Sequence, residues 1–91
     1  MLITEKLKAH SIAFLNLNSL SQMSEGVIDS IIESVIEIKN NQNHTGPFRL
    51  GRTSTTVILD VNGKEVRKWN ENKRNARSKS VLMLELLNLE D

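Results

Sequence analysis

Val81 to Leu89 is the stretch of this 91-residue chain that most restricts its fold. Seven of the nine residues (Val81, Leu82, Met83, Leu84, Leu86, Leu87 and Leu89) are apolar, and neither Gly nor Pro interrupts them. The pattern predicts a helix that begins after Asn72 and runs to about Leu89. Its second half is apolar nearly all round. Such a helix must be buried on more than one side, against a sheet and against something else. The chain has no cysteine, so neither disulfides nor thiolate metal sites can staple it, and two histidines do not complete a zinc site. The core alone must hold the domain. In a chain this short it supplies only a few kcal/mol, a setting that suits a self-associated form such as a homodimer.

The segments before the last helix divide by their apolar period. Between Leu2 and Leu20, Ile3, Leu7, Ile12, Phe14, Leu15, Leu17 and Leu20 predict a first helix. Leu20, Met23, Val27, Ile31, Val35 and Ile38 recur at spacings of three and four, widened by Ile28, Ile32 and Ile36. They predict a second helix over about 22–39, with Ser21 or Ser24 as N-cap. Asn40 to Pro47 is polar and ends in Gly-Pro, which reads as a loop. From Thr53 to Trp69 the composition turns to Thr, Val and Ile around Asn62-Gly63, a strong hairpin signal. Strands are expected at about 54–61 and 64–70, with Phe48 to Arg52 as a candidate third. A two-residue type I′ turn at Asn62-Gly63 would set Val61 opposite Lys64, Asp60 opposite Glu65, Leu59 opposite Val66, Ile58 opposite Arg67, and Val57 opposite Lys68. Val57, Leu59, Val61 and Val66 then form the expected core face, and Ile58, Asp60, Glu65, Arg67 and Trp69 the exposed one. The fold class that follows is α+β in a single domain, residues 1–91. A helical part, 1–40, precedes a two- or three-stranded antiparallel sheet and a C-terminal helix packed on it, 48–91.

Net charge is +1, and its distribution says more than its size. Residues 1–48 carry three cations against five anions, a balance of −2. Residues 49–79 carry nine (Arg49, Arg52, Lys64, Arg67, Lys68, Lys73, Arg74, Arg77, Lys79) against Asp60, Glu65 and Glu71, a balance of +6. Lys73, Arg74, Arg77 and Lys79 open the last helix, where cations oppose the macrodipole at about 0.3–1 kcal/mol each. A sequence shaped by folding alone would place acids there. With the free N–H groups of the first turn, that end makes a good phosphate site. The alternative is a solvated basic patch paired to acids such as Glu71.

The run Thr56-Val57-Ile58-Leu59-Asp60-Val61-Asn62-Gly63-Lys64-Glu65-Val66, followed by Asn72-Lys73-Arg74-Asn75-Ala76-Arg77, resembles the second half of a double-stranded-RNA-binding domain. There a strand, an Asn/Asp-Gly-Lys turn and a second strand lead to a helix opening with Lys-Lys-x-Ala-Lys, whose cations grip phosphates across the major groove. By that resemblance Lys73, Arg74 and Arg77 are the gripping cations, Ala76 the small packing residue and Gly46-Pro47 the counterpart of a minor-groove loop. The chain departs from the pattern in having no histidine after Pro47. Glu25, Asp29, Glu33 and Glu37 also line the second helix at four-residue intervals, and an acidic ridge does not approach a phosphate backbone. The expectation is therefore a one-sided basic face. The ridge reads as a solvated helix face or as a docking surface for a basic protein.

Trp69, beside Arg67 and Lys68, is a candidate for stacking on an unpaired base or, alternatively, a hydrophobic lid over the last helix. Catalysis finds little support. His10 and His44 fall on a helix and a loop and read as surface histidines. Gly46 to Gly51 lacks the Lys-Ser/Thr of a P-loop, and Ser24 to Gly26 is no nucleophile elbow. No metal or other cofactor is implied. The start of the chain lacks a basic region followed by an apolar one, and no run nears the roughly 18 apolar residues a bilayer span needs. A cytoplasmic location without membrane contact is the expectation. Ten asparagines, eight isoleucines and seven lysines suit an AT-rich genome such as that of a bacteriophage or a low-GC bacterium. The reading from sequence is a non-catalytic RNA-binding protein that contacts the phosphate backbone through Arg49, Arg52, Arg67, Lys68, Lys73, Arg74, Arg77 and Lys79. The alternative is a protein-binding regulator, such as a phage-type inhibitor of a bacterial nuclease or toxin, using the acidic ridge or the Ile58/Arg67/Trp69 face.

Overall fold

The three helical periodicities become three helices, and each end has a local cause. The computed structural model describes residues 3–20, 23–41, 44–51, 57–69 and 73–89. Helix α1 spans Ile3–Leu17. It stops short of Leu20 because Ser19 turns left-handed, with φ of 52°. The Leu20 N–H then reaches back to the Leu15 carbonyl at 3.1 Å and the Ser19 N–H to that of Asn16 at 3.4 Å. This is a Schellman closure, and it sets Leu20 beside Leu15 in the core cluster. Helix α2 spans Glu25–Asn41. Ser24 opens it, its carbonyl accepting from Val27 and Ile28 at 3.1 Å each, with its Oγ 3.4 Å from the Val27 N–H. The other cap candidate, Ser21, lies outside the described residues. Helix α3 spans Lys73–Asn88.

The three strands are antiparallel in the order β1-β2-β3: β1 is Arg49–Leu50, β2 Val57–Leu59 and β3 Glu65–Lys68. The candidate third strand is thus present, and residues 52–56, Arg52 among them, lie outside the described residues. The expected pairs Val57 with Lys68 and Ile58 with Arg67 hold, whereas Leu59 pairs with Glu65 rather than Val66 across a bulge after Ile58. The turn is the reason. Asp60 N–H donates to the Lys64 carbonyl at 2.9 Å and Gly63 N–H to the Asp60 carbonyl at 3.0 Å. Gly63 has φ of +81° and Asn62 is not left-handed. The connection is therefore a three-residue loop, a type I turn closed by a left-handed glycine, and not the two-residue type I′ turn.

The faces of the hairpin are the reverse of those expected. Ile58 and Asp60 are buried, at 0% and 1% exposed, and so is Trp69, while Val57, Leu59 and Val66 are half-exposed and Val61 is exposed. Full burial of Ile58 is worth about 1.5–3 kcal/mol, and an indole offers more area still. The fold takes these two inward and accepts Asp60 with them, since Asp60 finds partners there. Leu50 pairs with Ile58 on this inner face.

Helix α3 is the centre of the molecule. It contacts α1 and α2, and it packs on β1 and β2 of the sheet. Ala76, Leu82, Met83, Leu86 and Leu87 are buried among Leu15 of α1, Ile28, Ile31, Ile32 and Val35 of α2, and Phe48, Ile58 and Trp69. The demand for burial on several sides is thus met within one chain. Two polar ties lock its far end. Asn88 brackets Phe48, accepting from its N–H at 2.8 Å and donating to its carbonyl at 3.0 Å, and Lys39 Nζ donates to the Leu89 carbonyl at 2.9 Å. Among the described residues no helix is long and apolar enough to cross a membrane.

Candidate nucleic-acid interface

The cations of the basic segment are distributed by strand alternation and helix period. On β3, Arg67 and Lys68 are neighbours and so project to opposite faces of the sheet. Lys68 shares the outer face with Val57, its partner, and with Leu59, which pairs with Arg49. Arg49 and Lys68 are exposed and frame a half-exposed apolar strip of Val57, Leu59 and Val66. Arg49 extends toward the turn, its Nη2 3.6 Å from where a Cβ on Gly63 would stand. Arg67 points the other way. Its Nη1 donates to Ser34 Oγ of α2 at 3.0 Å, and its guanidinium lies 5.1 Å over the Trp69 ring. On α3, Arg77 is exposed and Lys79 is half-buried. Lys73 and Arg74 occupy the first turn of α3, and their side chains lie outside the described residues.

This arrangement corrects two expectations. The basic residues do not form a one-sided face: Arg49 lies on β1, Arg67 and Lys68 project to opposite faces of β3, and Arg77 and Lys79 lie on α3. Trp69, 7% exposed and covered by Arg67, is the lid and offers no ring to a base. Of the Ile58/Arg67/Trp69 face, Ile58 and Trp69 are buried and Arg67 is exposed.

The acids are engaged elsewhere. Lys8 of α1 pairs with Glu25 and lies 3.6 Å from Asp29, so the first half of the acidic ridge is partly neutralised by the neighbouring helix. The contact with Lys8 holds the Glu25 carboxyl below its usual range, and Glu25 raises the ammonium in return. Glu33 and Glu37 remain exposed. Both histidines are partly exposed and both have a carboxylate partner: His10 lies 2.8 Å from Glu85, tying α1 to α3, and His44 lies 2.7 Å from Asp60. They serve different carboxylates. Asp60 also accepts from the N–H groups of Asn62 and Lys64, both at 2.9 Å, through its other oxygen. The His44 contact and then these N–H groups pull the Asp60 carboxyl below its ordinary value, against the upward push of burial.

Beside the sheet edge lies a cleft of about 300 Å³ bordered by Ser24, Gly26 and Ser30 of the α2 start, Arg67 of β3 and Lys79 of α3, over a floor that includes Val27, Ile31 and Trp69. Sequence reading missed the serines, although Ser30 and Ser34 stand four apart on α2, beside the acidic ridge. They look like ordinary surface residues until β3 brings Arg67 alongside. Among the described residues no three His, Asp or Glu side chains converge as a metal site. The chain matches no protein-family model, and no curated protein or solved structure shows significant similarity to it.

Proposed function

We propose that this chain is a non-catalytic RNA-binding protein that contacts the phosphate backbone with little sequence preference. One observation carries the reading. The ion pairs Lys8–Glu25, Lys8–Asp29, His10–Glu85 and His44–Asp60 all take their cation from outside the basic segment. Arg49, Lys68 and Arg77 are exposed, and among the described residues no acid lies within ion-pair distance of them. Nine cations against three acids in a stretch of 31 residues, with Arg49, Lys68 and Arg77 exposed, favour an anionic partner of high charge density. The order β2, Gly63 turn, β3 and α3 is also the order that the resemblance to a double-stranded-RNA-binding domain implies. In that reading Arg49 and Lys68 on the outer sheet face, Arg67 and Lys79 at the cleft and Arg77 on α3, together with Arg52, Lys73 and Arg74, supply the phosphate contacts.

A filter-binding titration of a mixed-sequence RNA against salt tests it. The logarithm of the binding constant should fall linearly with that of salt concentration, with a slope of about −0.7 to −0.9 per phosphate neutralised. A slope near zero, or no binding at about 50 mM salt, overturns the proposal.

A further inference from the structure

Ile58 points into the helical core, so Val57 and Leu59, its neighbours on β2, point out of the opposite face of the sheet. Val66 and Lys68 alternate with Arg67 and share that outer face, and pairing with Leu59 brings Arg49 to it. Its centre is apolar and its margins are charged. Val57, Leu59 and Val66 are half-exposed, and Val61, just past β2, is 49% exposed. Arg49 stands on β1 to one side of the strip and Lys68 on β3 to the other, both exposed and with no acid of the described residues in ion-pair distance. The register carries Gly51 opposite Val57, its N–H donating to the Val57 carbonyl at 2.9 Å, so that position puts no side chain beside Val57 and leaves room for a close approach.

An aliphatic strip between cations suits a ligand that is anionic at its margins and apolar in its middle. A second copy of the chain is a poor fit, because its own outer face repeats the excess of Arg49 and Lys68 over Glu65, the one acid on the three strands. A duplex turns sugars and phosphates outward and would leave Val57, Leu59 and Val66 facing water. Unpaired nucleotides carry both parts, phosphates for the cations and flat base faces for the aliphatic side chains. Trp69 is buried beneath Arg67, so the platform is aliphatic and not aromatic.

Building on the RNA-binding reading, we infer that the outer face of the sheet receives unpaired nucleotides of an RNA, with bases packed on Val57, Leu59 and Val66 and phosphates met by Arg49 and Lys68. Every base has such a face, so the contact adds affinity without sequence preference.

The experiment compares three ligands by filter binding at fixed salt: an unstructured oligoribonucleotide, the same strand annealed to its complement, and a strand of equal length without bases. The single strand should bind about tenfold tighter than either of the others. Charge alone predicts that the duplex binds best, since it carries about twice the charge per unit length. The double variant Val57→Thr/Leu59→Thr keeps residues that suit a strand, and it should lose the preference with its salt slope unchanged. In the unsubstituted protein, ring currents from the bases should move the methyl resonances of Val57, Leu59 and Val66 upfield while those of Leu82 and Leu86 in the core stay in place. A duplex or a base-free strand that binds as tightly as the single strand, a preference that survives in the double variant, or methyls unmoved by RNA would overturn the inference and leave the backbone-binding reading intact. Absence of binding to any of the three would overturn both. A helical peptide with leucines on one face and glutamates on the other, if it moves the same methyls and binds tighter than the single strand, would transfer the face to a protein partner and overturn the assignment to nucleotides.

Discussion

Asp60 shows how one side chain can set the local structure of three segments. One carboxylate oxygen gathers the N–H groups of the turn, and the other holds His44 on the loop that follows α2. Its carboxyl titrates lower in the folded chain than in the unfolded one, whose value lies near 3.8. A depressed acid contributes stability that is fully present above the unfolded value and is lost as pH falls from there through the folded value. Denaturant midpoints measured from pH 6 downward should therefore begin to drop near pH 4, and His44→Ala should weaken that dependence by removing the strongest partner. Ser19 offers a change of the opposite sign. A non-glycine residue at φ of 52° is strained, so Ser19→Gly should stabilise the chain by about 0.5–1 kcal/mol in urea unfolding. No increase in the midpoint would mean that Ser19 gains as much from its own contacts as it loses in backbone strain.

At the level of elements, Asn88 closes an exposed side of the sheet. Its amide meets both the N–H and the carbonyl of Phe48, immediately before β1, as a neighbouring strand would. Asn88→Ala leaves both groups without that partner and should cost about 1–2 kcal/mol, and Leu86→Ala in the buried stripe of α3 should cost about 2–5 kcal/mol. Equal losses for the two substitutions would show that the polar bracket matters as much as the core. The helices and the hairpin were legible in the sequence because their periods and caps are local. The inner face of the hairpin was not. Val57-Ile58-Leu59 is apolar at every position, so alternation names no side, and the choice is made by Trp69 and by a partner for Asp60 that lies 16 residues away. The turn type was obscured because Asn-Gly suits both a two-residue loop and the three-residue one that forms. The cleft was hidden for a related reason, since its serines and its cations come from separate elements and meet only after α2, β3 and α3 are packed.

For the molecule as a whole, the basic segment spans the sheet from β1, which carries Arg49, to β3 at the other edge, which carries Arg67 and Lys68. Arg49→Gln, Lys68→Gln and Arg77→Gln should each reduce the magnitude of the salt slope for RNA by about one, without changing preference among sequences. A loss of sequence preference instead would indicate contacts to bases. The position of Arg67 and Lys68 has another consequence. β3 ends the sheet, and an uncovered edge strand is a template on which another chain can add. Paired cations on such an edge are a common defence, because two copies meeting there repel one another. Under the RNA-binding proposal, the cations that would contact phosphates would also keep β3 from pairing with a second copy. Cancelling their charge, whether by substitution or by saturation with a polyanion, should leave the sheet's edge open to recruitment by its own kind.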